Sequence, residues 1–348
     1  MHETTLVVEP DDGTAPILHA IQHAKKTIDL TIFRFDRHDV TRALDAAIAR
    51  GVQVRTLIAF SNRGGADSLR DLELRMLGAG ATVARSSDTF ARYHAKLMIV
   101  DSRVLHVNGF NFTEADLKSR SFGIITTNKQ LVRQAIRLFG ADLARRPYEG
   151  GVEGLVVSPE NARERLETFI RGAHHELLIY DSRLGDPRML HLLAERLRAG
   201  VAVRIIGHVG KSIGRSSQLT RHLDAHVAKH LEDRAYRPAI ADSKRARGQV
   251  FRLMEEGVKA GLRGIRGADQ RADLHVEKLH HRRLHLRAIV RDGTVAFIGS
   301  QSLRRAELDL RRELGVFVHD PDIVRRIRET FERDWPSETP GAVQPGDP

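Results

Sequence analysis

The chain has no cysteine, which removes disulfides and thiolate metal sites and leaves no sign of an oxidising compartment. It has no apolar run near the roughly 20 residues that a membrane-spanning helix needs. Its opening residues, Met1 to Pro10, lack the basic start and long apolar stretch of a secretory leader. A cytoplasmic location follows as the expectation. What the chain has in surplus is positive charge, a net +11 over 348 residues, and that length can bury one large core or two moderate ones.

The surplus is local. Between Gly207 and Leu284 there are 17 Lys and Arg against 9 Asp and Glu, so most of the excess lies in one segment. Concentrated basic charge fits a polyanionic partner, either nucleic acid or an anionic membrane surface. The plainer alternative is a solubilising face.

Comparison of the chain with itself reveals a duplication. Leu6-Val7-Val8-Glu9-Pro10 returns as Leu155-Val156-Val157-Ser158-Pro159, and Gly51-Val52-Gln53-Val54-Arg55 as Gly200-Val201-Ala202-Val203-Arg204, both displaced by 149 residues. Each half opens with a strand, then a helix with apolar residues at helical spacing: Ile17, Leu18, Ile21 and Ala24 in one, Leu166, Phe169, Ile170 and Ala173 in the other. A strand, a helix ended by Gly51 or Gly200, and another strand follow. Strands alternating with helices predict an α/β fold of two similar halves, with mixed, mainly parallel sheets covered on both faces. The expected boundaries are 1–148 and 152–335, joined by a linker near Arg145 to Gly151, with a Pro- and Gly-rich tail at 336–348.

The second half carries an insertion of 42 residues inside the basic segment, 207–283. Helical patterns are expected near Gln218 to Glu232 and Lys244 to Lys259, and a loop at Gly261 to Gly267. The segment has few aromatics, Tyr236 and Phe251, so contact with a duplex backbone is favoured over base stacking.

The chemistry gathers at a doubled hairpin. Tyr93-His94-Ala95-Lys96 runs to Asp101 and on to Asn108-Gly109-Phe110-Asn111. Leu284-His285-Leu286-Arg287 runs to Asp292 and on to Gly299-Ser300-Gln301-Ser302, 191 residues later. On a strand, residues two apart share a face, which sets His94 beside Lys96 and His285 beside Arg287. A lone histidine of this kind is usually an ordinary structural one. Two in matched settings point to a shared site. Asp101 and Asp292 also sit where a tight turn wants them, so a structural role stands open for both.

These motifs resemble the phospholipase D superfamily, whose members carry two HxKxxxxD motifs, each followed by a GSxN-like segment. Asn108 to Asn111 looks like the variant of cardiolipin synthases, while Arg287 and Ser302 depart from the usual Lys and Asn. The resemblance implies two α-β-α sandwich halves meeting at one active site. It further implies phosphodiester cleavage or phosphatidyl transfer through a phosphohistidine, without metal or cofactor, by His94, Lys96, Asp101, His285, Arg287 and Asp292. Asn111 and Ser302 would join Lys96 and Arg287 on the phosphate oxygens. By family habit His94 is the nucleophile. Glu313 is expected beside His285, and Ser121 at the matching place beside His94, which would make His285 the better-held ring.

Weaker signals are a His222, His226, His230 helix face with metal-ligand spacing and a faint phosphate loop at Gly207 to Ser212. Three functions compete. One is a phospholipase D-type enzyme on anionic phospholipid, in peripheral contact with the inner membrane face. Another is a nuclease of the same fold, and the third a non-catalytic basic binding protein with a degenerate second motif. Two motifs in one chain make an oligomer unnecessary for the site.

Overall fold

The computed structural model describes residues 3–60, 65–150, 154–209 and 274–336. The two helical patterns, the glycine-rich loop, the triple-histidine face, Gly210, Lys211 and Ser212 of the phosphate-loop pattern, and all but the first residue of the tail lie outside the described residues.

The first half runs β1 (Thr4–Glu9), α1 (Ala15–His23), β2 (Thr27–Ile32), α2 (His38–Ala49), β3 (Gln53–Ile58), α3 (Gly65–Gly78), β4 (Thr82–Arg85), β5 (Arg92–Tyr93), β6 (Leu97–Val100), β7 (Val104–Asn108), α4 (Glu114–Leu117), β8 (Ser121–Thr126) and α5 (Lys129–Leu143). The second begins β9 (Leu155–Ser158), α6 (Ala162–Arg171), β10 (Glu176–Leu184), α7 (Pro187–Arg198) and β11 (Ala202–Val209). It resumes with β12 (Leu274–Glu277), β13 (Arg287–Arg291), β14 (Val295–Gly299), a π-helical turn at Ala306–Leu310, β15 (Arg311–Val318) and α8 (Pro321–Asp334). None of the helices among the described residues is long and apolar enough to cross a membrane.

Local sequence explains the boundaries. Asp186 and Asp320 each accept two backbone N–H groups at the starts of α7 and α8, with a proline next in line. Gly51 and Gly200 end α2 and α7 at φ +86°, a conformation that costs glycine little.

Seven strands form one sheet in the order β1-β8-β7-β6-β2-β3-β4. The other runs β12-β11-β10-β13-β14-β15-β5, with β9 also paired to β15. The sheets are mixed as expected, but mainly antiparallel instead of mainly parallel. Among the described strands, parallel pairing is confined to β2-β3-β4, β10-β11-β12 and the short β15-β5 contact. The reason lies in part in the hairpins: Asp101 and Ser102 both take positive φ, as do Asp292 and Gly293, and such tight turns make the strands they join run in opposite directions.

Among the described residues three cores hold the layers together. The outer ones bury α1 and α2 against the first sheet and α6 and α7 against the second. The central one draws on both halves, with Leu97, Ile99 and Phe139 beside Tyr180, Leu314, Val324 and Phe331. The halves therefore share a hydrophobic interior, and α5 and α8 lie within it.

Candidate active site

His94 and Lys96 lie in the short extended passage between β5 and β6, where the chain crosses from one sheet to the other. β5 pairs with β15 of the second half, and the His94 N–H donates to the Arg312 carbonyl at 2.8 Å. The second motif makes the reciprocal crossing. Arg120 bridges Leu284, and the His285 N–H donates to the Arg120 carbonyl at 3.1 Å. Each histidine is thus fixed by a strand of the opposite half.

This crossing corrects the assignment of Glu313. Its Oε2 lies 2.7 Å from Nδ1 of His94, not beside His285. Ser121 is exchanged as well: its hydroxyl donates to the backbone carbonyl of His285 at 3.2 Å. Because Arg312 holds the backbone of His94, the following residue is delivered to the first motif. The better-held ring is accordingly His94, the reverse of the expectation. His285 has its Nδ1 3.5 Å from Oδ2 of Asp116, an ion-pair distance without a hydrogen bond.

Asp116 and Glu307 are site residues absent from the motif-based set. Asp116 accepts the backbone N–H of Asn111 at 3.0 Å and its amide at 2.5 Å. Glu307 accepts the Ser302 N–H at 2.7 Å and pairs with Arg311 at 3.0 Å. Each carboxylate lies five residues beyond Asn111 or Ser302, so both repeat at the 191-residue displacement. That displacement was the available signal.

The two unusual residues form a unit: Arg287 Nε donates to Ser302 Oγ at 2.9 Å, and both are buried. Lys96 Nζ donates to the His94 carbonyl at 2.7 Å. Arg287 Nη1 and Asn111 Oδ1 are buried without a hydrogen-bond partner, leaving a donor and an acceptor for a ligand. Gly109 is required by a close approach, since a Cβ there would sit 2.8 Å from the Phe122 carbonyl. Phe33 stands edge-on to His94, ring centroids 4.8 Å apart.

Asp101 and Asp292 take no part in this cluster, which corrects their place among the catalytic candidates. Asp101 accepts the N–H groups of Lys25, Lys26 and Thr27, and Asp292 those of His174, His175 and Glu176. Their carboxylates tie each hairpin turn to the start of the neighbouring strand.

Burial governs the electrostatics. It pushes the His94 imidazole well below its ordinary value, and Lys96, Arg287 and Arg311 push the same way. His285 is lowered by burial and then by Arg287, with Asp116 pulling back. Both shifts favour the neutral form of the ring. Burial brings Lys96 down to about 7 against the pull of Glu313 and Asp116. It raises Glu313, opposed by Lys96 and Arg311. For Glu307 burial works against ionisation, but Arg287 and Arg311 outweigh it and hold the carboxyl below its ordinary value. Such a site favours unprotonated imidazoles beside the Arg287 guanidinium and a titratable Lys96, a charge balance that an incoming anion would change.

Residues 17–143 and 166–335 each match the PLD-like domain of the cardiolipin synthase family. A polyphosphate kinase of Staphylococcus haemolyticus is 22% identical over 219 residues, covering 57% of this chain and 30% of that protein. The solved polyphosphate kinase of Porphyromonas gingivalis superposes with a TM-score of 0.66 at 19% identity, over 94% of this chain and 46% of its own. Phosphatidylserine synthase of Haemophilus influenzae gives a TM-score of 0.61 at 13% identity, over 95% and 85%. The chain spans less than half the length of the polyphosphate kinases it matches. At these identities the structural likeness establishes the fold alone.

Proposed function

We propose, from the premise that this chain belongs to the cardiolipin synthase, PLD-like domain family, that it is a metal-independent phosphodiesterase or phosphatidyltransferase acting on anionic phospholipid. The observation that carries the reading is the reciprocal arrangement of two buried histidines, each facing a carboxylate of the opposite half.

The Nδ1–H of His94 donates to Glu313, which fixes the tautomer and leaves the Nε2 lone pair free to attack phosphorus. The new P–N bond forms as the bond from phosphorus to the departing alkoxide breaks. His285 gives that oxygen a proton. It holds this proton once the bound phosphodiester has added negative charge to the site. The now neutral His285 then takes a proton from water or an acceptor alcohol, whose oxygen attacks phosphorus. The P–N bond breaks and His94 is free again. Lys96, Arg287, the Ser302 hydroxyl and the second amide hydrogen of Asn111 offset the charge gathering on the non-bridging oxygens. In place of the point charge of a lysine, Arg287 presents a planar fork.

The basic segment supports an anionic lipid surface as the setting of the reaction. The test is incubation with phosphatidylglycerol vesicles and, separately, with plasmid DNA, both in EDTA. Lipid turnover that is lost in His94→Ala is expected. Cutting of plasmid alone would assign a nuclease, and binding without turnover of either would assign the non-catalytic reading.

A further inference from the structure

Arg120 and Arg312 are duplicates, 192 residues apart, and each offers its carbonyl to one of the two site histidines. Arg312 is sealed in. Asp142 lies at 2.9 Å, Glu160 and the Ser158 carbonyl are also bound, and the Phe90 ring lies 4.4 Å over the guanidinium. Arg120 has the matching polar partners: Asp334 at 2.7 and 3.1 Å, the Glu9 carbonyl at 2.8 Å and Asp11 at 3.5 Å. Among the described residues no aromatic ring lies over it. His281 stands at the position of Phe90, Arg282 at that of Ala91 and Arg333 at that of Ala141. Where the second half's arginine is plugged, Arg120 borders a cavity of about 290 Å³, lined also by Asp11, His281, Arg282, Arg333 and Asp334.

We propose that this cavity binds a small oxyanion, the phosphate group of a compact molecule, at a place separate from the histidine site. None of the site histidines, lysine or Arg287 lines it. Three guanidinium groups face two carboxylates there, and one of those carboxylates, Asp334, is already engaged twice by Arg120 and once by the Tyr180 hydroxyl at 2.8 Å. Arg333 donates to the Thr330 hydroxyl at 3.0 Å and has no carboxylate within ion-pair distance among the described residues. Arg282 Nη1 is buried without a hydrogen-bond acceptor, 3.8 Å from Asp11. A phosphate supplies the acceptor that Arg282 Nη1 lacks and a counter-charge for Arg333, and guanidinium forks match its geometry. The volume lies at the lower end of small-molecule pockets, which limits the occupant to a compact one.

The location gives the occupant a consequence, one that rests on the function proposed above. His281 and Arg282 belong to the approach to His285, while Arg120 and Arg333 lie on other elements. A phosphate held between them ties that approach down and steadies the loosely held His285.

Equilibrium dialysis of the full chain against radiolabelled inorganic phosphate tests the site. The wild type is expected to bind two equivalents. His281→Phe, which restores the cover of the other half, and Arg333→Gln each lose one, while Lys96→Gln loses the other. A wild type that binds one equivalent, abolished by Lys96→Gln, overturns the cavity site, as does retention of both by His281→Phe and Arg333→Gln. Two equivalents surviving in Lys96→Gln would count against the histidine site instead, while the His281 and Arg333 variants still decide the cavity.

Discussion

The ring of the first-half histidine is hydrogen-bonded to a carboxylate and the ring of the second-half histidine is not. His94 lies 2.7 Å from a fully buried carboxylate, whereas His285 lies 3.5 Å from Asp116, which is shared with Asn111. Duplication supplied two similar half-sites, and divergence made them unequal in a way that suits two different tasks. A nucleophile needs one fixed tautomer. A group that gives and then takes a proton needs a proton affinity that the substrate can change.

The largest expected effect separates those tasks. His94→Ala and His285→Ala should each slow turnover of a lipid substrate at least about 10⁴-fold. With a p-nitrophenyl ester, whose leaving group needs no proton, His285→Ala should still form the phosphoenzyme and His94→Ala should not. Mass spectrometry of the quenched protein reads the difference, and equal labelling of the two variants would erase the division of roles. The carboxylates should differ next. Glu313→Gln is expected to cost about 100-fold in kcat and Asp116→Asn about tenfold, as befits a close and a distant partner of a histidine. Equal losses would mean that the two rings are held alike.

The doubled motif, the two displacements and the strand and helix order were legible in the sequence because each depends on local pattern. The crossing of Glu313 to His94 was not. It depends on β5 pairing with β15, a contact between residues more than two hundred positions apart, and no local spacing encodes it. The antiparallel character of the sheets was partly legible, since Asp292-Gly293 already marks a hairpin, but strand and helix alternation pulled the reading toward parallel pairing. Asp116 and Glu307 fall outside the motif segments ending at Asn111 and Ser302, although their common displacement was present in the chain.

The cations offer a further contrast. Lys96, lowered to about 7 by burial, is charged below that pH and loses its proton as pH rises through it. kcat/KM should therefore fall above about pH 7. In Lys96→Arg, where the charge persists as it does in an arginine, that alkaline limb should disappear from the pH profile. A limb unchanged in the variant would assign it to another group.

The smallest effect concerns stability. His106 is buried with both ring nitrogens unpartnered, and burial lowers it to about 4; Phe297 fills the same place in the other half. Between pH 6.5 and 4 the unfolded chain binds the proton that the folded chain refuses. The neutral ring's contribution is complete above about 6.5 and lost as pH falls toward 4, a change of about 3 kcal/mol. His106→Phe should flatten that part of the stability curve in denaturant titrations. An equal slope in both proteins would place the acid sensitivity elsewhere.

The most direct test of the shared site is a crystal structure of the protein with orthovanadate. The expected result is vanadium bonded to Nε2 of His94, with Nδ1 of that ring on Glu313 and His285 reaching the apical oxygen on the far side. Vanadate bound away from both rings, or rings opening into separate cavities, would contradict the account.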